Sequence, residues 1–428
     1  MIHPLRDWDR FFFAPQRARV LGLFRIALGL MVIYSFILWA RDATTFFSDE
    51  GLLTTHSLDD GMFRAYHTLL YYFTSPWAVR LALAAVFATA ILFTVGYQTR
   101  IVTLVLFVLV VSFHERNNLV LNSGDTILRN MLFFFLFAPA GTAYSVDSLI
   151  RRLRTAESED GVDELCPPWA QRMMAIQVSV VYFTTAYAKS RGDLWHAGHA
   201  IYYVLGLIDF NKRGVEQLMN YPVIYSALSF ATLFGEVIMA FILWFRAARP
   251  YAVLLGLFIH GWIIATMTIP VFGIIMLLVY IPFFSEEELD EGLVKWRARF
   301  STRRATVYFD AECPLCQRTR RLVRRLDLLE RTQFVDVHGL SPAQINALGR
   351  TPGTLLAEMH LCTTDGTVLS GFAAMRWLIA RMPATLWMAP VLYLPGAERV
   401  GNSVYAWVAQ NRLILVSCNG AACRVHRS

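Results

Sequence analysis

Apolar residues fill the first two thirds of the chain in long runs broken by short polar stretches, then give way to short alternating segments. The runs cover residues 21–40, 77–97, 101–113, 127–140, 173–188, 223–245, 251–267 and 272–284. A helix needs about 20 mostly apolar residues to cross a bilayer, so the pattern predicts a bundle of about eight spans. The shorter runs must draw on neighbouring residues or sit where the bilayer is thin. Residues 200–210 are apolar but brief and predict a re-entrant or interfacial piece. The first run starts late and ends in Trp39-Ala40-Arg41-Asp42, which is no small-residue cleavage site, so no removable signal peptide is expected.

After residue 284 the character changes. Glu286, Glu287, Glu288, Asp290 and Glu291 end the apolar region, and residues 286–304 read as an acidic-then-basic linker. From 305 to 428 the pattern is that of a small α/β unit. A β-prone segment at 305–309 is followed by a loop and a helix through Leu326, and a second strand is expected at 333–338. Residues 358–363 and 367–370 form a hairpin pattern around Asp365-Gly366, with helices expected at 372–381 and 398–410. The expected architecture is therefore a polytopic α-helical membrane bundle (1–285), the linker, and a small α/β domain (305–428).

Composition sharpens this. Hydrophobic residues make up 56% of the 428, aromatics 14% and charged residues 17%, with a mean hydropathy of +0.44. Soluble domains carry about 25% charged residues, so a wholly soluble or disordered chain is excluded. Six cysteines in this length exclude a disulfide scaffold. Basic residues mark cytoplasmic loops. Arg6, Arg10, Arg17 and Arg19 precede the first run, while the next loop has five acids (Asp42, Asp49, Glu50, Asp59, Asp60) against Arg41 and Arg64. Arg151, Arg152, Arg154, Arg246 and Arg249 fall on the cytoplasmic side of an eight-span count, although the loop at 190–222, expected outside, carries Arg191, Lys212 and Arg213. The expectation is a multi-pass protein of a bacterial-type cytoplasmic membrane with both termini in the cytoplasm. The net charge of +7 invites a nucleic-acid reading, and Arg318, Arg320, Arg321, Arg324 and Arg325 are clustered. Beside a membrane they read instead as a solvated helix face near anionic headgroups, and no nucleic acid is expected.

Two sets of residues carry candidate chemistry. Asp310-Ala311-Glu312-Cys313-Pro314-Leu315-Cys316 follows a strand and opens a helix. Amides at a helix start stabilise a thiolate, and the spacing lets a second thiol resolve a mixed disulfide. Cys313 is then the nucleophile, Cys316 the resolving thiol, and Asp310 a group able to move protons. A zinc site would need two further ligands, which Cys418 and Cys423 could supply, and a pair without chemistry is the third alternative. The redox reading is preferred and no metal is expected. Cys166, beside Pro167-Pro168, reads as a loop cysteine.

The second set lies in the membrane, where ionisable groups are costly and usually pair or face a cavity. These are Arg25, Arg129, Lys189, Glu236 and His260, with Asn117, Asn118, Asn122 and Asp125 forming a polar cluster. Lys189, with Asp193 and Trp195 close behind, is either a lysine reaching for the interface or a base of lowered pKa. Glu236 and His260 are either interhelical partners, with Arg25 or Arg129 as counter-ions, or walls of a shared polar cavity.

Both sets carry a resemblance. Tyr308-Phe309-Asp310, Cys313-Pro314 and Cys316, with the later Tyr405-Ala406-Trp407-Val408-Ala409-Gln410-Asn411-Arg412 before two cysteines, resemble the DCC family of thiol-disulfide oxidoreductases. That resemblance implies a thioredoxin-like domain. Phe24-Arg25-Ile26-Ala27-Leu28-Gly29, Phe47-Ser48-Asp49-Glu50-Gly51, His114-x-Arg116-Asn117, Asn122-Ser123-Gly124-Asp125 and Ser145-Val146-Asp147 resemble the HTTM family. So do Tyr182-Phe183 with Lys189, Trp195 and Gly198, and His260 with Phe272 and Met276. That family shares its membrane domain with the vitamin K-dependent gamma-carboxylase. The resemblance implies that Lys189 is a base toward a hydroquinone, with Arg25, His114, Arg116, Asn117, Asp125, Trp195, Glu236 and His260 supporting the cavity. No histidine stands near Asn122–Asp125, where the carboxylase has a catalytic one, and the loops are too short for its client-binding region.

Three functions follow. The first is a membrane oxidoreductase that couples lysine-base chemistry on a quinone or lipid-like substrate to a redox-active Cys313–Cys316 disulfide. The second is a protein-disulfide oxidoreductase that uses its helices mainly as an anchor. The third is a lipid-binding or transport bundle with a redox-sensing tail. Expected partners are the lipid bilayer and an unidentified quinone, lipid or protein thiol.

Overall fold

The computed structural model describes residues 4–57, 67–154, 165–300, 304–327, 330–382, 385 and 388–411. Asp59, Asp60, Arg64, Arg412, Cys418 and Cys423 lie outside the described residues. The chain divides into two compact units, Met1–Leu289 and Asp290–Ser428.

Each of the eight apolar runs falls on helix in the first unit. In chain order these are α1 (Arg19–Ala40), α2 (Pro76–Val95), α3 (Thr99–Arg116), α4 (Ser123–Phe135), α5 (Trp169–Lys189), α6 (Pro222–Ile242), α7 (Arg249–Thr266) and α8 (Pro270–Leu278). Four of them, α1, α2, α6 and α7, are long and apolar enough to cross a membrane by themselves. The others fall short for visible reasons. α4 has 13 residues, about 20 Å at 1.5 Å per residue. α3 holds Arg100 at its start and His114, Glu115 and Arg116 at its end, and α5 carries Gln171, Arg172 and Lys189. Residues 200–210 form two short pieces, Ala200–Leu205 and Ile208–Phe210.

The outward faces are apolar too. Leu81 and Ile91 on α2, Phe234 and Phe241 on α6, and Tyr251, Leu254 and Phe258 on α7 are exposed. A helix facing water turns a polar stripe outward, whereas one that is apolar all round belongs in lipid. α1 lies innermost, with Phe24, Leu28, Val32 and Phe36 fully buried.

Arg25 accounts for how that packing closes. Its fully buried guanidinium donates to the carbonyls of Ala140 at 2.5 Å, Tyr144 at 2.5 Å, Ala143 at 3.2 Å and Thr94 at 3.4 Å. Ala140, Ala143 and Tyr144 lie in the loop that follows α4 and Thr94 at the end of α2, and Arg25 satisfies their carbonyls together. Gly96, at φ +74°, ends α2 in the left-handed region, and a Cβ there would sit 2.8 Å from the Arg25 guanidinium carbon. Asp147 accepts from the amides of Gln98 (2.7 Å) and Thr99 (2.9 Å), holding the start of α3.

The acidic stretch expected as linker is helical (α9, Glu286–Phe300), and its start belongs to the bundle. Glu286 accepts from the Val20 amide at 2.8 Å and pairs with Arg19 at 3.0 Å, while Glu288 pairs with Arg249. The acids answer arginines at the helix ends.

In the second unit, four strands are ordered β2-β1-β3-β4: β1 (Ala305–Phe309), β2 (Thr332–Asp336), β3 (His360–Cys362) and β4 (Val368–Ser370). β1 and β2 are parallel, joined across α10 (Pro314–Leu326), while β3 runs antiparallel to both β1 and β4. Alternation along β1 buries Ala305, Val307 and Phe309 with Val323, Leu361, Ala374 and Leu378. α11 (Gly371–Ile379), α12 (Ala389–Leu392) and α13 (Ala397–Gln410) complete the described part. Two short helices, Pro342–Ala347 and Pro352–Ala357, were not expected, although Ser341 with Gln344 and Thr351 with Thr354 form capping boxes.

Candidate functional site: a dithiol and a polar cluster in the bundle

The dithiol is placed by the β1–α10 turn. Phe309 ends the strand, Cys313 is the N-cap of α10, Pro314 takes the first helical position, and Cys316 lies in the first turn. Both cysteines are thiols. Asp310, buried beneath the turn, accepts on Oδ1 from the Glu312 amide (2.9 Å) and from His338 Nε2 (3.1 Å). Its Oδ2 is buried without a hydrogen-bond partner among the described residues. Asp336 receives the amides of Ala311 and His338, each at 3.2 Å, and Gln317 Nε2 donates to the Ala311 carbonyl at 2.5 Å. The hydrogen bond to Asp310 raises the His338 pKa above the ordinary imidazole value. A buried carboxylate paired with a half-exposed imidazole is an arrangement that takes up and returns protons next to thiols.

Cys313 is 4% exposed, whereas Cys316 is more open and lines an apolar cavity of about 530 Å³. The basic face of α10 is not simply solvated: Arg320 lies over the Phe309 ring at 5.0 Å and Arg324 over Phe334 at 5.7 Å. Among the described residues no group of three or more His, Cys, Asp and Glu side chains is placed to hold a metal ion.

In the bundle, Lys189 at the end of α5 donates to both carboxylate oxygens of Glu236 on α6, at 2.5 and 2.6 Å. Its ammonium also lies 5.4 Å from the Trp195 ring centre. Two turns earlier on α5, the Tyr182 hydroxyl is 2.7 Å from His260 Nε2 and 2.5 Å from the Tyr280 hydroxyl. His260 Nδ1 is buried without a partner among the described residues. The counter-ion of Glu236 is thus Lys189, rather than Arg25 or Arg129. Arg129 pairs with Glu115.

A polar cavity of about 680 Å³ opens beside this cluster, lined by His114, Glu115, Asn122, Thr126, Arg129 and Phe272. Both ring nitrogens of buried His114 lack partners among the described residues, and Phe272 also packs against His260 at 5.8 Å between ring centres. The remaining expected cavity residues are engaged in the fold. Arg116 pairs with Asp49 at 2.8 Å and donates to the Leu53 carbonyl, and Asn117 donates to the Phe46 carbonyl. Asp125 accepts from the Asn122 amide (2.8 Å) in a capping box and from the Ser35 hydroxyl (3.2 Å). Sequence reasoning passed over Tyr280, Glu115 and His338. Glu115 stands within the His114-x-Arg116 motif, so one signal for it was present.

An apolar helical bundle followed by a mixed-sheet unit presenting a strand-turn-helix dithiol defines a membrane protein with a thiol redox domain. The chain belongs to the HTTM family: the family model for the HTTM domain matches residues 13–288. Residues 307–417 match the model for a DCC1-like thiol-disulfide oxidoreductase. No curated protein and no solved structure gives a match.

Proposed function

We propose that this chain is an integral membrane oxidoreductase whose reacting centre is the Cys313/Cys316 dithiol. The observation that carries the reading is the placement of both thiols at the start of α10, three and six residues after the buried Asp310 carboxylate that bonds the half-exposed His338. One thiolate attacks a substrate disulfide, forming a mixed disulfide and releasing one substrate thiol. The other thiolate then attacks the protein sulfur of that bond, releasing the second substrate thiol and leaving Cys313–Cys316 oxidised. Two electrons pass to the substrate, and Asp310–His338 exchanges protons with the thiols. The domain is of thioredoxin-like type, and the arginines before α1 support an amino terminus in the cytoplasm of a bacterial-type cell, from which an even number of spans brings the dithiol domain to the same side. The test is reduction of hydroxyethyl disulfide by purified protein, with dithiothreitol supplied as the two-electron donor that re-reduces Cys313–Cys316 after each cycle. Wild type is expected to turn over, and Cys313→Ser and Cys316→Ser each to fall to the uncatalysed rate; turnover surviving both substitutions contradicts the reading.

A second reading concerns the bundle. The unpartnered nitrogens of His114 and His260, and a polar cavity sharing Phe272 with the Lys189 cluster, fit a lipophilic hydroquinone that must lose protons. Such a group, when bound, supplies two-electron chemistry and, with oxygen, carboxylase-like base chemistry. Glu236, in contact with Lys189 Nζ through both carboxylate oxygens, is placed to take a proton from Nζ and leave it able to accept one from the hydroquinone, while Tyr182, itself bonded to Tyr280, holds the His260 ring. Lys189→Ala is expected to abolish hydroquinone-dependent oxygen uptake in membranes. Lys189→Arg should fail to restore it, because a guanidinium keeps the charge but does not give up its proton.

A further inference from the structure

Tyr182 on α5, His260 on α7 and Tyr280 in the turn after α8 converge inside the bundle, and all three side chains are buried. Gly256 leaves room for the meeting. It stands one turn before His260 on the same face of α7, and a Cβ there would overlap the Tyr280 hydroxyl. The Tyr182 hydroxyl has two neighbours, the Tyr280 hydroxyl at 2.5 Å and His260 Nε2 at 2.7 Å.

Counting protons gives these bonds a direction. Each phenol has one proton to donate, and a neutral imidazole carries one N–H and one bare nitrogen. Suppose His260 Nε2 held the proton and donated to Tyr182, which then donated to Tyr280. The Tyr280 proton and the Nδ1 lone pair would both be buried without partners among the described residues, a costly arrangement. If instead Tyr280 donates to Tyr182 and Tyr182 donates to Nε2, both phenol protons are used. The imidazole proton then sits on Nδ1, which is left as a buried donor without a partner among the described residues. The His260 ring also meets Phe272 edge-on, at 5.8 Å between centres, and Phe272 is a wall of the polar cavity of about 680 Å³. Buried His114 lines the same cavity with both ring nitrogens unpartnered among the described residues.

We propose that Tyr280 and Tyr182 are positioning residues that hold His260 as an Nδ1–H donor, and that this donor binds an acceptor oxygen of a quinone-type ligand arriving past Phe272 from the polar cavity. The inference rests on the second reading above and adds the atom that recognises the ligand and the reason that atom is a donor. His260 keeps its proton throughout. When Lys189 Nζ takes a proton from a ligand hydroxyl, negative charge gathers on the ligand oxygens and the bond from Nδ1–H strengthens. A quinone carbonyl accepts the same bond, whereas a hydrocarbon of the same shape does not.

The experiment uses full-length protein with isotope-labelled histidine in phosphatidylcholine nanodiscs, His260→Gln to assign the His260 signals, and menadione as the probe. Nitrogen chemical shifts should show His260 with a protonated Nδ1 and a bare Nε2. Tyr182→Phe, which keeps the ring, should mix the two tautomers. Menadione should move the Nδ1 proton signal, methylnaphthalene should leave it in place, and Tyr182→Phe should weaken menadione binding about fivefold, the scale of one lost hydrogen bond. A wild-type His260 protonated on Nε2 or on both nitrogens overturns the proposal, as does an unmixed tautomer in Tyr182→Phe. So does an Nδ1 proton signal that menadione leaves unmoved while hydroquinone-dependent oxygen uptake proceeds. Absence of both the signal shift and the uptake in wild type would instead remove the second reading and its ligand, and the tautomer measurement would still decide the roles of Tyr182 and Tyr280.

Discussion

Individual side chains divide into those that hold the fold and those left with chemistry to do. Arg25 belongs to the first kind, since its guanidinium is spent on carbonyls of the loop that follows α4. Arg25→Met should lower unfolding stability by about 3 kcal/mol or more, because several buried carbonyls lose their donor together. Thermal unfolding in detergent micelles reads this out directly. His338 belongs to the second kind. Its pKa is raised by Asp310, so the contact stabilises fully below the ordinary imidazole value of about 6.5 and fades as pH rises through the higher folded value. His338→Gln should therefore remove a decline in domain stability with rising pH over that window. It should also flatten the pH profile of thiol exchange there, whereas an unchanged profile would show that the pair does not serve the thiols.

At the scale of elements, what the sequence made legible followed periodicity and local chemistry. The apolar runs each fell on a helix, β1 and the β3–β4 hairpin lie where alternation and Asp365-Gly366 indicated, and the Cys-x-x-Cys turn opens α10. The long-range partners were not legible. Nothing in the spacing between Lys189 and Glu236, 47 positions apart, or between Tyr182 and Tyr280, 98 apart, reveals contact, because helix packing fixes these pairs. The same holds for Asp147, whose motif was noted for family likeness and whose work is to cap the start of α3 from 48 residues away. Asp147→Ala should cost about 1 kcal/mol or more in the same unfolding assay, the loss of a helix cap. The acidic segment read as linker shows the converse error: charge marked a boundary, but arginines across the bundle drew its first turn inward.

For the molecule as a whole, the fusion joins a lipid-facing bundle holding the Lys189–Glu236 and Tyr182–His260–Tyr280 contacts to a domain with a dithiol. Topology decides which cellular pool the dithiol meets. The proposed cytoplasmic placement of both termini predicts that a membrane-impermeant thiol reagent labels Cys313 and Cys316 in inverted vesicles and leaves them unlabelled in intact cells, using the Cys313→Ser/Cys316→Ser double variant as control. Labelling in intact cells would place the dithiol outside. The central claim is that these two thiols act together as a two-electron couple, and a redox titration of the intact protein tests it most directly. Membranes would be poised between about −350 and −100 mV and the thiols alkylated and counted by mass spectrometry. The account predicts a single transition within that range, steepened to about 30 mV per decade, with both thiols lost together. Thiols that remain reduced throughout, or disappear independently of one another, would contradict it.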